Sequence, residues 1–139
     1  AERYPHIPQW QQARRMDETA RQGFLDRFTL TGQGIGFAVL GGAFGEGIDL
    51  PGARLIGAFI ATLGLSQFNP VNEQIKQRMA ALFGAGYDYT YLYPGLQKVV
   101  QAAGRVIRTQ SDQGAVFLID DRFAEPNVQQ LLPAWWALQ

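Results

Sequence analysis

Three continuous apolar runs, residues 35–40, 55–63 and 115–119, punctuate the 139-residue chain and restrict what it can fold into. A strand with one face in water alternates polar and apolar residues, whereas an unbroken apolar run suits a strand covered on both faces, as in parallel sheets. The intervening segments carry a helical period instead. Met16, Ala20, Phe24 and Phe28 recur every four residues and place a helix over about 12–28. Pro70 or a neighbour opens a second helix, with Val71, Ile75, Met79, Leu82 and Phe83 on one side and Gly84 and Gly86 at its end. Pro94 is placed to start a third, running to about Ile107. Buried strands alternating with amphipathic helices give an α/β layered fold with a mainly parallel sheet, in one domain over residues 1–139. Residues 4–10 are broken by Pro5 and Pro8 and form at best an edge strand. Residues 42–53 are a glycine- and proline-rich loop, and the tail Leu131–Trp136 is apolar.

Composition excludes several function classes. Hydrophobic residues make up 47 %, enough for a folded core. Twelve cationic side chains balance twelve acidic ones, so any affinity for nucleic acid has to come from a local patch. There is no cysteine, which rules out disulfides and thiolate-held metals or clusters in this chain. His6 is the only imidazole, which argues against a zinc site. No apolar run reaches the ~20 residues of a membrane span and no signal peptide is visible, so the chain reads as soluble and cytoplasmic, with no membrane partner.

The third helix carries the sharpest chemical signal. At 100° per residue from Gln101, Arg105 falls at about +40° and Arg108 at about −20°, while the aliphatic residues fall roughly 100° to 160° away. Gln101, Arg105 and Arg108 then form one polar stripe, and two arginines one turn apart suit phosphate oxygens. An ordinary solvated helix face explains the same stripe. Gly104 lies inside that helix at a cost of about 1 kcal/mol, which close backbone approach would account for. In open parallel sheets ligands sit beyond the carboxyl ends of strands, where the loop 42–53 leaves the run 35–40. Its glycines admit a ligand, and Glu46 and Asp49 are short acceptors, although a polar turn with capping carboxylates fits too. Gly32-x-Gly-x-Gly36 lacks the dinucleotide spacing and reads as a turn, and no P-loop is present. Asp120-Asp121 after a strand could hold Mg²⁺, or Asp120 could pair with a nearby arginine. Tyr87, Tyr89, Tyr91 and Tyr93 could stack bases, or simply pack.

Two blocks together carry a resemblance. Gln101-x-x-Gly104-Arg105-x-x-Arg108, Asp112-x-Gly114 and Phe117–Phe123 look like the sixth motif of superfamily-two helicases, most closely the XPD/DinG-like group. Gly42–Gly52, with Glu46-Gly47-Ile48-Asp49 at its core, resembles that group's fifth motif. The resemblance implies a three-layer RecA-like lobe with a motif-five loop at 42–53, a motif-six helix at about 94–108 and a first strand curtailed before residue 1. It implies ATP with Mg²⁺, held mainly by an N-terminal lobe of the same protein that supplies the P-loop. Arg108, Arg105 and Gln101 would act on the phosphates. Gly104, Glu46, Gly47 and Asp49 would lie toward the nucleotide, and Gly42, Phe44 and Gly45 toward single-stranded DNA. Gly45 stands where relatives often carry a bulky aromatic. The conserved Asp-x-Arg-Phe of the group matches Asp120, Arg122 and Phe123 and is architectural. An iron–sulfur cluster found in some relatives would lie outside this chain. By this reading the chain is a fragment of a longer DNA helicase and is inactive alone. The competing reading is a non-catalytic module that binds nucleic acid or a protein through the arginine stripe.

Overall fold

The structure, a computed structural model, describes residues 3–44, 50, 52–109 and 112–138. In chain order it contains β1 (Gln9–Gln11), α1 (Glu18–Leu25), β2 (Ile35–Phe37), β3 (Gly57–Ile60), α2 (Pro70–Phe83), α3 (Tyr93–Ala103), β4 (Ala115–Leu118) and α4 (Pro126–Gln129). β1 pairs with β2 in parallel, Gln9 opposite Ile35. β3 pairs with β4 in parallel, from Gly57 opposite Ala115 to Ile60 opposite Leu118. Parallel neighbours need a crossover, and helices supply it here: α1 in the first pair, α2 and α3 in the second. The chain is therefore α/β with parallel pairing. Among the described residues the strands form two two-stranded sheets rather than one.

Local chemistry sets the helix ends. The Asp17 carboxylate accepts the Ala20 N–H at 2.8 Å and starts α1 six residues past the expected boundary at 12. Just ahead of it, Arg15 adopts a left-handed φ of 54°, which no helix tolerates. α2 matches its sequence signals closely: Asn69 caps Asn72, Pro70 lies in the first turn and Gly84 ends it at φ 71°. Its apolar side, however, is open to solvent, with Val71, Leu82 and Phe83 each more than half exposed. The four tyrosines lie on and at the ends of a π-helical turn, Asp88–Leu92, leading into α3, so Tyr87 meets Tyr91 and Tyr89 meets Tyr93 at ring separations of 5.5 and 5.1 Å. Tyr91 is fully buried and donates its hydroxyl to Glu73 Oε1 at 2.8 Å, which removes it from any stacking role. Burial, with Glu73 alongside, pushes its phenol up to about 12. Glu73 in turn is held below its usual 4.5 by Lys76 and by Tyr91.

The main core joins Ile60 and Leu63 to Leu96, Val99 and Ala103 of α3, then to Phe123, Val128 and Leu132. This packing suspends α3 over β3. A second cluster holds Trp10, Phe24, Phe28 and Phe44, and Gly34 is a glycine because a Cβ there would lie 2.5 Å from the Trp10 ring. The expectation of strands covered on both faces is corrected. Ile35, Phe37, Val39, Phe59, Phe117 and Ile119 are all exposed on strands or just past their ends, and Phe59 stacks on Phe117 at 4.8 Å in the open. An apolar run shows that a strand carries apolar side chains on both faces, but not that a segment among the described residues covers each face.

Candidate functional site

α3 positions the arginines and then releases them. The helix ends at Ala103, not Ile107, and the chain tightens into short-range bonds: Arg105 N–H to Ala102 O at 3.1 Å and Val106 N–H to Ala103 O at 3.0 Å. The regular 100° spacing is lost at that point, so a stripe from Gln101 through Arg105 to Arg108 no longer follows from helix geometry. Gln101 is exposed and lines a shallow groove with Tyr93, Gln97, Val100 and Leu131. Arg105 and Arg108 are half-buried. Gly104 is not a mid-helix glycine. It follows the last helical residue with a right-handed φ of −63°, and the atoms nearest its missing Cβ are the Val100 and Gln101 carbonyls of its own chain segment.

Arg108 is held from two sides. Its Nη2 donates to the Leu50 carbonyl at 2.5 Å, across 58 residues of sequence, which fastens the turn after α3 to Leu50. Its backbone N–H donates to Asp112 Oδ2 at 2.9 Å, as does the Thr109 N–H. Those bonds, Arg108 first, hold the Asp112 carboxyl below its usual range. The flanks are packed: Val106 is buried, and a Cβ on Gly114 would press into Val106 and come within 3.0 Å of the Ile56 carbonyl. The close approach lets β4 begin beside β3, with Ala115 N–H donating to Ile56 O at 3.1 Å.

The loop is only partly described. Gly45, Glu46, Gly47 and Asp49 lie outside the described residues. Gly42 donates its N–H to Val39 O at 3.0 Å. The Phe44 ring is buried against Phe24 at 4.3 Å, so nucleic acid could meet Phe44 only through backbone. Sequence reasoning missed the Leu50 carbonyl entirely, since a backbone acceptor leaves no signature. It quoted Asp112 without giving it a task, although an acidic residue four places after a half-buried turn is a recognisable local acceptor.

Asp120 pairs with Arg122 in a two-bond fork, Nε to Oδ1 at 2.8 Å and Nη2 to Oδ2 at 2.7 Å, and also caps the turn Asp121–Ala124. The guanidinium holds the Asp120 carboxyl below 3.8 and is itself raised. A lowered carboxyl stabilises the fold above about 3.8 and loses that contribution as pH falls through the lowered value. Asp112 and Glu73 carry the same sign. Thermal melting should therefore drop steeply below about pH 4, and Asp120→Asn should melt lower at neutral pH with a shallower acid dependence. An unchanged acid slope in that variant would remove Asp120 from the acid response.

Among the described residues no three His, Cys, Asp or Glu side chains gather to hold a metal, and no helix is long and apolar enough to cross a membrane. A family model described as helicase C-terminal domain matches residues 2–139. The chain is 33 % identical over 102 residues to the ATP-dependent DNA helicase chl-1 of Caenorhabditis elegans, covering 71 % of this chain and 12 % of that protein. It is 34 % identical over 110 residues to regulator of telomere elongation helicase 1 of Bos taurus, covering 73 % and 9 %. It is 30 % identical over 135 residues to the ATP-dependent DNA helicase chl1 of Neosartorya fischeri, covering 82 % and 16 %. The chain thus spans less than a fifth of each of these relatives.

Proposed function

The chain belongs to the helicase C-terminal domain family, in the XPD/DinG-like group of superfamily-two helicases, and from that we propose that it is the second, RecA-like motor lobe of an ATP-dependent DNA helicase. ATP and Mg²⁺ bind between this lobe and an N-terminal lobe of the same protein that carries the P-loop. Arg108 stabilises charge on the transferring γ-phosphoryl, Arg105 stands beside it, and Gln101 and Gly104 lie on the approach to the nucleotide. Glu46, Gly47 and Asp49 face the same interface, while Gly42, Phe44 and Gly45 follow single-stranded DNA through backbone contacts.

The observation that carries this reading is the bond from Arg108 to the Leu50 carbonyl. It links Arg108 to Leu50, next to the loop proposed to follow single-stranded DNA, so a contact at that loop has a short route to the arginine proposed to serve phosphate. A guanidinium suits both tasks, because its rigid fork of donors can bridge a carbonyl on one side and phosphate oxygens on another. ATP fits the donor set offered here: two half-buried arginines just past the end of α3, one of them bonded to the Leu50 carbonyl.

The test compares ATP hydrolysis by the full-length protein, with and without single-stranded DNA, against this chain alone. DNA-stimulated turnover in the full-length protein and none in the isolated chain is the expected pattern. A full-length protein that binds single-stranded DNA but never hydrolyses ATP would favour the non-catalytic binding module instead.

A further inference from the structure

We propose that Asp112 is a positioning residue for Arg108: its carboxylate sets where the arginine's backbone stands, and so where the guanidinium reaches. This rests on the reading of Arg108 as the group that serves the γ-phosphoryl. An arginine on a helix has its Cα placed by the helix ladder. Arg108 lies past the end of α3 at Ala103, where the last turn bonds to Ala102 and Ala103 stop at Ile107. Among the described residues, its N–H goes to the Asp112 side chain. Asp112 Oδ2 takes the N–H of Arg108 and of Thr109, both at 2.9 Å, while the Asp112 N–H returns to Thr109 O at 3.2 Å and closes the turn. Bonds from backbone N–H groups to an ionised carboxylate are stronger and shorter than neutral ones, so one side chain can fix two consecutive peptide units.

The geometry gives this a functional edge beyond turn formation. Arg108 is anchored at its two extremes, the backbone by Asp112 and the Nη2 tip by Leu50. The backbone anchor is local and the tip anchor belongs to the loop. A shift of the loop therefore swings the guanidinium about a fixed Cα, rather than dragging the whole turn. Without Asp112 the Cα is no longer fixed and the same loop shift is dissipated in the turn. A misplacement of about 1 Å at a catalytic group costs on the order of 10²-fold in rate.

The experiment uses the full-length protein and the variants Asp112→Ala and Asp112→Asn, each alone and combined with Arg108→Ala. The readouts are DNA-stimulated kcat, KM for ATP, and the ratio of affinities for ADP–aluminium fluoride and ADP. Asp112→Ala should lower kcat roughly 10- to 100-fold with KM within about threefold. Asp112→Asn keeps a carbonyl oxygen at that place and should recover most of the loss. The affinity ratio should fall with Asp112→Ala when Arg108 is present and stay unchanged when Arg108 is alanine. Equal losses in both backgrounds would show that Asp112 acts on the fold and not through Arg108, and would overturn the proposal. If Asp112→Ala fails to fold, Asp112→Ser, whose shorter side chain draws the acceptor back from the two N–H groups, decides by the same comparison. A protein in which Arg108→Ala keeps its full rate refutes the functional reading itself, whereas loss in Arg108→Ala with full activity in both Asp112 variants refutes only the positioning role.

Discussion

Replacing Arg108 by alanine in the full-length protein is expected to cut DNA-stimulated kcat by about 10³- to 10⁵-fold, the usual worth of an arginine finger in phosphoryl transfer. KM for ATP should move only a few fold. The reason lies in when the contact forms: charge on the γ-phosphoryl oxygens builds up in the transition state, and a group aimed at that charge lowers the barrier without tightening the ground state. Arg108→Lys keeps the charge and loses the planar fork, so it should restore only part of the rate. Steady-state kinetics decide between outcomes. A loss carried mainly by KM would make Arg108 a ground-state binding residue. The alanine variant also removes the bond to Leu50, so stimulation by DNA should weaken along with the basal rate.

Leu96→Ala should cost about 2–5 kcal/mol, the range for a buried leucine truncated in a packed core. Leu96 is 3 % exposed and lies in the cluster that binds α3 to β3 through Ile60, Leu63 and Val99. Whole domains are stable by only ~5–15 kcal/mol, so this single change removes a large share. The loss should appear in hydrogen exchange of the α3 amides within the full-length protein, as reduced protection across the helix. Turnover should follow the folded fraction, with KM unchanged below the melting range. A cost under ~1 kcal/mol would mean that α3 is held by something other than this cluster.

Signals confined to one segment were legible in the sequence. Asn69, Pro70 and Gly84 mark both ends of α2, and each does locally what its chemistry suggests. The three apolar runs appear as β2, β3 and β4, each shorter than its run. The pairing of Asp120 with a nearby arginine, one of two readings open at that site, is the one the structure shows. Where the reading went astray, a periodic pattern outlived the element beneath it. Val106 and Ile107 keep the helical period of α3 although the helix has ended, because Val106 is buried from a turn and not from a helix face. The stripe Gln101–Arg105–Arg108 was drawn on that extended helix, and helix geometry no longer supports it once the helix stops. Long-range bonds were out of reach for a different reason. Glu73 and Tyr91 are 18 residues apart, and Arg108 meets a main-chain carbonyl that any residue at position 50 would supply. The motif-five core, Glu46 to Asp49, lies outside the described residues, so its resemblance stands on sequence.

The most direct test of the central claim, that Arg108 of this lobe serves ATP bound against another, is a structure of the full-length protein with single-stranded DNA and ADP–aluminium fluoride. The Arg108 guanidinium should lie about 3 Å from the fluoride shell, within hydrogen-bonding distance, with Asp112 still on the Arg108 backbone. A guanidinium that stays on the Leu50 carbonyl and out of reach of the fluoride, with other side chains filling its place, would contradict it.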